Sequence, residues 1–342
     1  MRPTQLEYSV ASAAIRGARP YQEDSTKVWS RDCGGTPSEG ASTVLAVLAD
    51  GMGGHVSGEI ASGIACTEYV EHFGARSGEP ESRLIEAVAA SNLSIQRAIQ
   101  ADAKLNGMGC TIVAAFLDAD GLRWASVGDS SLLLFRNNQL IRLNEDHSLG
   151  ALLDKQARSN VISREEALNS PNRRSLRSAL TGGVIAQTDV QKSPQRLIAG
   201  DWVLLASDGL ETLSGDEIAT ITAAYHDAPP HELAEVLLQE VEQRKIRNQD
   251  NTSVVAIRVQ DTPKTLRIGA RGNAADGNGI HSADTEVLPV LRRGELIGTV
   301  IAEPNRARTR LLRPPRRSHS MLKWTLVLGF GLCLAGFAAW AV

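Results

Sequence analysis

Leu48-Ala49-Asp50-Gly51-Met52-Gly53-Gly54-His55 closes an apolar run over residues 43–49. That run is rich in Val, Leu and Ala and short enough to be a buried strand, so the strand is expected to end on the Asp50 carboxylate. The glycines behind Asp50 tolerate positive φ and let main chain come close where a Cβ would block it. Ser57-Gly58-Glu59 follows, and Ile60, Ile64, Tyr69 and Val70 then recur at helical spacing. A strand, a carboxylate, a glycine turn and a helix start form a cup for a charged ligand. Asp-Gly after a strand is also one of the commonest turn signals, so the run alone leaves a structural role open.

The same pattern recurs downstream. Residues 202–206 deliver an apolar strand into Ser207-Asp208-Gly209, residues 122–127 run into Gly128-Asp129-Ser130, and Asp250-Asn251 precedes a β-branched run over 252–259. Carboxylates at the ends of buried strands are costly to desolvate unless a positive charge neutralises them. No lysine or arginine run is placed to do so, which favours a divalent cation. Oxygen donors without His-plus-Cys spacing suit hard ions such as Mg²⁺ or Mn²⁺ better than zinc. Several aspartates exceed the needs of one ion and suggest a two-metal centre.

Around these sites the chain reads as alternating blocks. Residues 6–12 are expected to be a strand. Arg19, Glu23 and Asp24 then crowd beside Gly17 and Pro20, which a solvated turn with a surface ion pair would equally explain. Residues 30–42 read as loop and 58–73 and 81–101 as helices. Short strands follow at 111–117, 122–127, 131–135 and 139–143, then a polar, partly helical insertion at 144–178. Helices are expected at 214–225 and 230–245. Closely spaced strands with turns between them indicate antiparallel meanders rather than βαβ units.

The 342 residues suffice for one large core with attachments. Of 36 basic residues, seven follow Glu303 and no acidic residue does, so the net charge of −3 hides a body with 29 basic against 39 acidic groups. Such a body is a poor general binder of nucleic acid. Cys33, Cys66, Cys110 and Cys333 stand far apart, against a zinc module or disulfide framework. Residues 1–20 lack an apolar core, and no cleavable signal is expected.

Taken in order, Arg19-x-x-x-Glu23-Asp24, Asp50-Gly51-Met52-Gly53-Gly54-His55, Gly109-Cys110-Thr111, Val127-Gly128-Asp129-Ser130, Asp146-His147-Ser148, Ala206-Ser207-Asp208-Gly209 and Asp250-Asn251-Thr252-Ser253 resemble the metal-dependent protein phosphatases of type 2C in their bacterial form. The resemblance spans residues 6–260. It implies an α+β fold over residues 1–261, a four-layer αββα sandwich of two central antiparallel β-sheets flanked by helices, with a mobile flap at 148–178 that bears on substrate choice. It implies two Mn²⁺ or Mg²⁺ ions, with Asp50 bridging, the Gly51 carbonyl on one ion, and Asp208 and Asp250 on the other. Glu23 and Asp24 would hold metal-bound waters, and Asp129 with Asp208 would form a weaker third site. Arg19 would clamp the phosphoryl oxygens, and a water activated by both ions would attack phosphorus in line without a phosphoenzyme. Arg19, Asp50, Asp208 and Asp250 are thus the catalytic candidates.

Three departures accompany the resemblance. Met52 stands where animal members carry a histidine proposed as general acid, leaving a metal-bound water first and His55 second for that role. Ser131 replaces a common arginine and Thr212 a common aspartate. His147 reads as a turn residue, and Cys66 and Cys110 as packing residues. The implied activity is hydrolysis of phosphoserine and phosphothreonine in cytoplasmic phosphoproteins, opposing a cognate Ser/Thr kinase. The competing expectation is a catalytically silent, membrane-tethered binding or scaffold module, against which every matched metal position is still acidic.

Behind the body, residues 262–320 read as a flexible basic linker. From Trp324 to Val342 no charge interrupts an apolar run, about 28 Å as a helix, so residues 321–342 are expected to form one transmembrane helix in membrane lipid. The arginine-rich flank before it places the catalytic domain in the cytoplasm.

Overall fold

The computed structural model describes residues 6–30, 41–53 and 56–262. Strands β1 (Leu6–Ile15), β2 (Ser25–Ser30), β3 (Val44–Ala49) and the short β4 (Gly51–Met52) precede helices α1 (Val56–Ala75) and α2 (Pro80–Ala101). Next come β5 (Gly109–Cys110), β6 (Ile112–Asp118), β7 (Gly121–Val127), β8 (Ser131–Arg136) and β9 (Gln139–Arg142), then α3 (Leu149–Arg158) and α4 (Arg164–Asn169). The described chain ends through β10 (Asp189–Val190), β11 (Trp202–Ala206), a 3-10 turn (Asp208–Thr212), α5 (Gly215–Ala224), α6 (Pro230–Gln243) and β12 (Thr252–Asp261).

Two five-stranded antiparallel sheets carry the fold, one in the order β1-β12-β11-β8-β9 and the other β10-β7-β6-β3-β2. Side-chain alternation along each strand explains how they stack. In β3, Val44, Ala46 and Leu48 join Leu132, Leu134, Val203, Leu205, Val255 and Ile257 of the other sheet in one core. The alternate residues Leu45, Val47 and Ala49 face Ala61, Ala65, Tyr69, Leu84 and Val88 of α1 and α2 in a second. In the opposite sheet Trp202, Leu204, Val254 and Ala256 bury themselves against Ile218 of α5 and Leu233, Leu237 and Val241 of α6 in a third. A strand buried on both faces must be apolar throughout, which is why β3 and β11 read as continuous runs. The outcome is helix, sheet, sheet, helix, as the resemblance implied.

The differences from expectation have local causes. Strand β2, Ser-Thr-Lys-Val-Trp-Ser, is a half-buried edge strand without an apolar run to betray it. Strands β4, β5 and β10 have two residues each, too few for periodicity. The 144–178 insertion is indeed partly helical. Ser163 and Glu166 form a capping box that starts α4, and Arg173 ties the end of the insertion back to Asp154 of α3 through two hydrogen bonds of 2.9 and 2.8 Å. The expected linker beyond residue 262, the membrane span at 321–342 and most of the 30–42 loop lie outside the described residues. Among the described residues no helix is long and apolar enough to cross a membrane.

Leu48 is fully buried between the sheets. Leu48→Ala should therefore cost about 2–5 kcal/mol of folding stability in urea unfolding, against under about 1 kcal/mol for exposed Leu168→Ala.

Candidate active site

Antiparallel pairing brings several strand termini to one edge of the sandwich. In one sheet the ends of β3 and β7 lie there with the starts of β2 and β6. In the other, the ends of β1 and β11 lie level with the start of β12. Every carboxylate singled out in the sequence sits just past one of these termini. Arg19, Glu23, Asp50, Gly51, Asp129, Asp208 and Asp250 line a single cavity of about 710 Å³. Asp24 does not line it. It is buried behind, 7 % exposed, close enough to feel the Asp208 and Asp250 charges.

Main-chain hydrogen bonds fix each carboxylate. The Thr111 N–H donates to the Asp50 carbonyl at 2.8 Å, and Thr111 Oγ1 accepts from the Asp50 N–H at 3.1 Å. Thr111 Oγ1 also lies 2.7 Å from Ser130 Oγ, which couples Asp50 to the turn that carries Asp129. The Gly51 N–H donates to the Glu23 carbonyl at 3.1 Å, and a Cβ on Gly51 would stand 2.2 Å from the Gly58 carbonyl oxygen, so only glycine allows this approach. Gly209 is equally confined, its Cβ position lying 2.1 Å from the Asn251 carbonyl oxygen. Ser207 joins the two sheets: its hydroxyl donates to Asp24 Oδ2 at 2.8 Å and accepts from the Ser253 N–H at 2.9 Å. Asn251 accepts from the Glu23 N–H and donates to the Arg16 and Tyr21 carbonyls, all at 2.9 Å, holding the loop that carries Arg19.

The electrostatics follow from this crowding. Burial first, then the Asp24, Asp208, Asp129 and Asp250 charges, push the Asp50 carboxyl well above the ordinary range. Burial and neighbouring carboxylates raise Asp24 to about 6 and Asp129 to about 7, and Asp208 rises for the same reasons. One guanidinium sits directly on the cluster, Arg19, with a nitrogen 2.5 Å from Asp250 Oδ2.

A hard divalent cation fits these residues. Their donors are all oxygen, their charges exceed the local positive charge, and Asp24 Oδ1 is buried without a hydrogen-bond partner. Among the described residues no three acidic, histidine or cysteine side chains are already drawn around one point. They line one cavity as an open donor set rather than a closed ligand sphere.

Several residues at or beside the cavity were not among the site candidates read from the sequence. Arg174 and Arg177, at the end of the 148–178 insertion, line the cavity wall. Arg142 of β9 donates to the Asp129 carbonyl at 2.6 Å and pairs with Asp146 at 3.3 Å. Glu211 adds its charge to Asp129 and follows Asp208 by three residues on the 3-10 turn, a spacing that puts both on one side and could have revealed it. His147 is buried behind the site. Its Nδ1 accepts from the Gly128 N–H at 3.1 Å, so it braces the Asp129 turn from a neighbouring segment. Met52 lines the cavity, and His55 lies outside the described residues.

The family model described as Protein phosphatase 2C matches residues 30–249. The chain belongs to the protein phosphatase 2C family. It is 33% identical over 189 residues to the serine/threonine phosphatase stp of Listeria welshimeri, covering 54% of this chain and 73% of that protein. It is 34% identical over 175 residues to the serine/threonine protein phosphatase PstP of Mycobacterium tuberculosis, covering 51% of this chain and 33% of PstP. A crystal structure of the PstP catalytic domain in complex with 2 manganese ions superposes with a TM-score of 0.59 at 30% identity, over 75% of this chain and 100% of that one. The expected enzyme class, a metal-dependent protein-serine/threonine phosphatase using Mn²⁺ or Mg²⁺, agrees with these relatives.

Raised carboxyl pKa values make metal-free stability pH-dependent. Asp24 and Asp129 titrate near 6 and 7 when folded against an ordinary 3.8, so the folded state keeps protons that the unfolded chain has released. The contribution is therefore present below about pH 4 and lost as pH rises through about 7. In EDTA the melting temperature should fall by about 5 °C between pH 5.5 and 7.5, and Mn²⁺ should raise it more at pH 7.5. An EDTA melting temperature that climbs across this range would contradict the assignment.

Proposed function

We propose that this chain hydrolyses phosphoserine and phosphothreonine in phosphoproteins and opposes a Ser/Thr kinase, with Asp50, the Gly51 carbonyl, Asp208, Asp250, Asp129 and the Glu23–Asp24 pair holding the ions. The convergence of carboxylates from both sheets, with Arg19, in one open cavity carries this reading. Bound there, Mn²⁺ or Mg²⁺ would supply Lewis acidity, neutralising phosphoryl charge and making water a competent nucleophile near neutral pH.

The chain's own groups do the rest. Asp50, pinned on both its N–H and its carbonyl by Thr111, presents its carboxylate from a fixed turn. Ser207 and Asn251 keep Asp24 and Glu23 in place behind and beside it. Arg19 has five N–H donors and spends one nitrogen on Asp250, so its fork can also take a phosphoryl oxygen in the cavity. Its side chain is 49% exposed, which leaves it able to reorient. In the reaction the oxygen of water bonds to phosphorus, the ester P–O bond breaks, and the departing seryl or threonyl oxygen takes a proton. Among the described residues no histidine lines the cavity to give that proton.

Asp208→Ala should lower Mn²⁺-dependent turnover of p-nitrophenyl phosphate on the order of 100-fold or more while leaving the fold intact by circular dichroism. A binding or scaffold protein would show no turnover in either form. Arg19→Lys should act mainly on KM, because an ammonium cannot replace the planar fork.

We further propose a single-pass cell-membrane protein with a cytoplasmic catalytic domain. The uncharged run over 324–342 and its arginine-rich flank support it. Full-length protein should stay with carbonate-washed membranes and a chain lacking 321–342 should wash off. A full-length chain that washes off would sink the anchor.

A further inference from the structure

A second cavity, of about 430 Å³, lies beside the acidic one and shares Thr181 with it. Its other walls are the last turns of α2, through Gln96, Ile99 and Gln100, and the turn around Asn106 and Met108. No charged side chain lines it, in contrast with its neighbour.

The wall is built rather than incidental. Asn92 Oδ1 accepts from the Gly182 N–H at 2.9 Å and its Nδ2 donates to the Gly183 carbonyl at 2.7 Å, fastening that loop to α2. A Cβ on Gly182 would stand 2.7 Å from the Gln96 Cα, so loop and helix touch through backbone. Gly183, by contrast, faces open space, with nothing nearer to an added Cβ than Thr181 Oγ1 at 3.6 Å. Gly53 on the acidic cavity also packs against Met108 on the second one, its Cβ position lying 3.0 Å from the Met108 Cα. Val184, next along the loop, is 95% exposed and lines the acidic side.

We propose that this second cavity is a substrate subsite: it takes an uncharged residue close in sequence to the phosphorylated serine or threonine. The inference rests on the phosphatase reading above. A phosphoresidue in the acidic cavity belongs to a chain whose neighbours lie about 3.3 Å further on per residue when extended, and Thr181, which lines both cavities, is where that chain would pass from one to the other. Gln96, Gln100 and Asn106 each carry amide donors and an acceptor suited to a substrate main chain, and Ile99 and Met108 offer apolar contact. A charged side chain entering the cavity would lose hydration without gaining a partner.

The test compares kcat/KM for phosphothreonine peptides carrying Ala, Leu, Asp or Lys at each flanking position with Mn²⁺-dependent turnover of p-nitrophenyl phosphate, which has no flanking chain. The wild type should prefer Ala or Leu over Asp and Lys at one flanking position by about tenfold. Gly183→Trp, which fills the cavity from a position that needs no positive φ, should erase that preference and lower the peptide-to-nitrophenyl turnover ratio about tenfold. Gln100→Glu, on the exposed side of α2, should shift the preference toward Lys even if the tryptophan variant fails to fold. A flat wild-type preference, or one unchanged by Gln100→Glu, overturns the subsite. Absence of all turnover in the wild type would instead strike at the phosphatase reading, and anisotropy of the same labelled peptides would still decide whether the subsite selects.

Discussion

Mutual repulsion among carboxylates is the constraint that the rest of the structure answers. Glu23, Asp50, Asp129, Asp208 and Asp250 open onto one cavity with Asp24 behind them, and burial alone already pushes the Asp24, Asp50, Asp129 and Asp208 carboxyls upward. Groups that repel and are costly to desolvate will not converge unless the backbones carrying them are fixed by something stronger. Here that is the double sheet. Strands β3 and β11 are apolar throughout, and β12 over residues 254–257, because two cores claim them, and the cooperative burial of those cores offsets the cost at their ends.

Hydroxyl and amide side chains turn that rigidity into geometry. Thr111, Ser207 and Asn251 are nearly or fully buried, and each bonds main chain on a segment distant in sequence. Ser207 reaches from β11 to Asp24 at the start of β2, so the two sheets are stitched at the edge where the carboxylates emerge. Removing such a group would unsettle the site more than the fold, since each fastens a loop while the apolar layers stay intact.

What the sequence revealed and concealed follows from the same division. An apolar strand ending on Asp-Gly marks both a core strand and its functional end, so Asp50 and Asp208 were legible together with β3 and β11. Helices α1, α2, α5 and α6 were legible from apolar spacing, and Ser214 with Glu217 marks the start of α5. Edge strand β2 was not, because a half-buried, polar strand resembles a loop. Arg142, Arg174 and Arg177 were not assigned to the site for a different reason: pairing β9 with β8 and folding residues 144–178 back over the site places them there, and no local pattern encodes that return. Asp24 was grouped with the cluster from its place in the motif, whereas its position behind the cavity rather than on its wall depends on Ser207, distant in sequence.

The cavity also shows two kinds of wall. Its floor comes from strand ends and is acidic, whereas its rim includes Arg19 on the first loop and Arg174 and Arg177 at the base of the insertion. Five carboxylates against three guanidinium groups leave the deprotonated floor a poor host for a phosphomonoester dianion. Cation and phosphate therefore need each other here: whatever neutralises the floor raises affinity for the phosphoryl group, and a phosphoryl group raises affinity for the cation by the same factor. The rim arginines act differently, because they draw the anion toward the cavity from outside and, being exposed, do so less strongly as ionic strength rises.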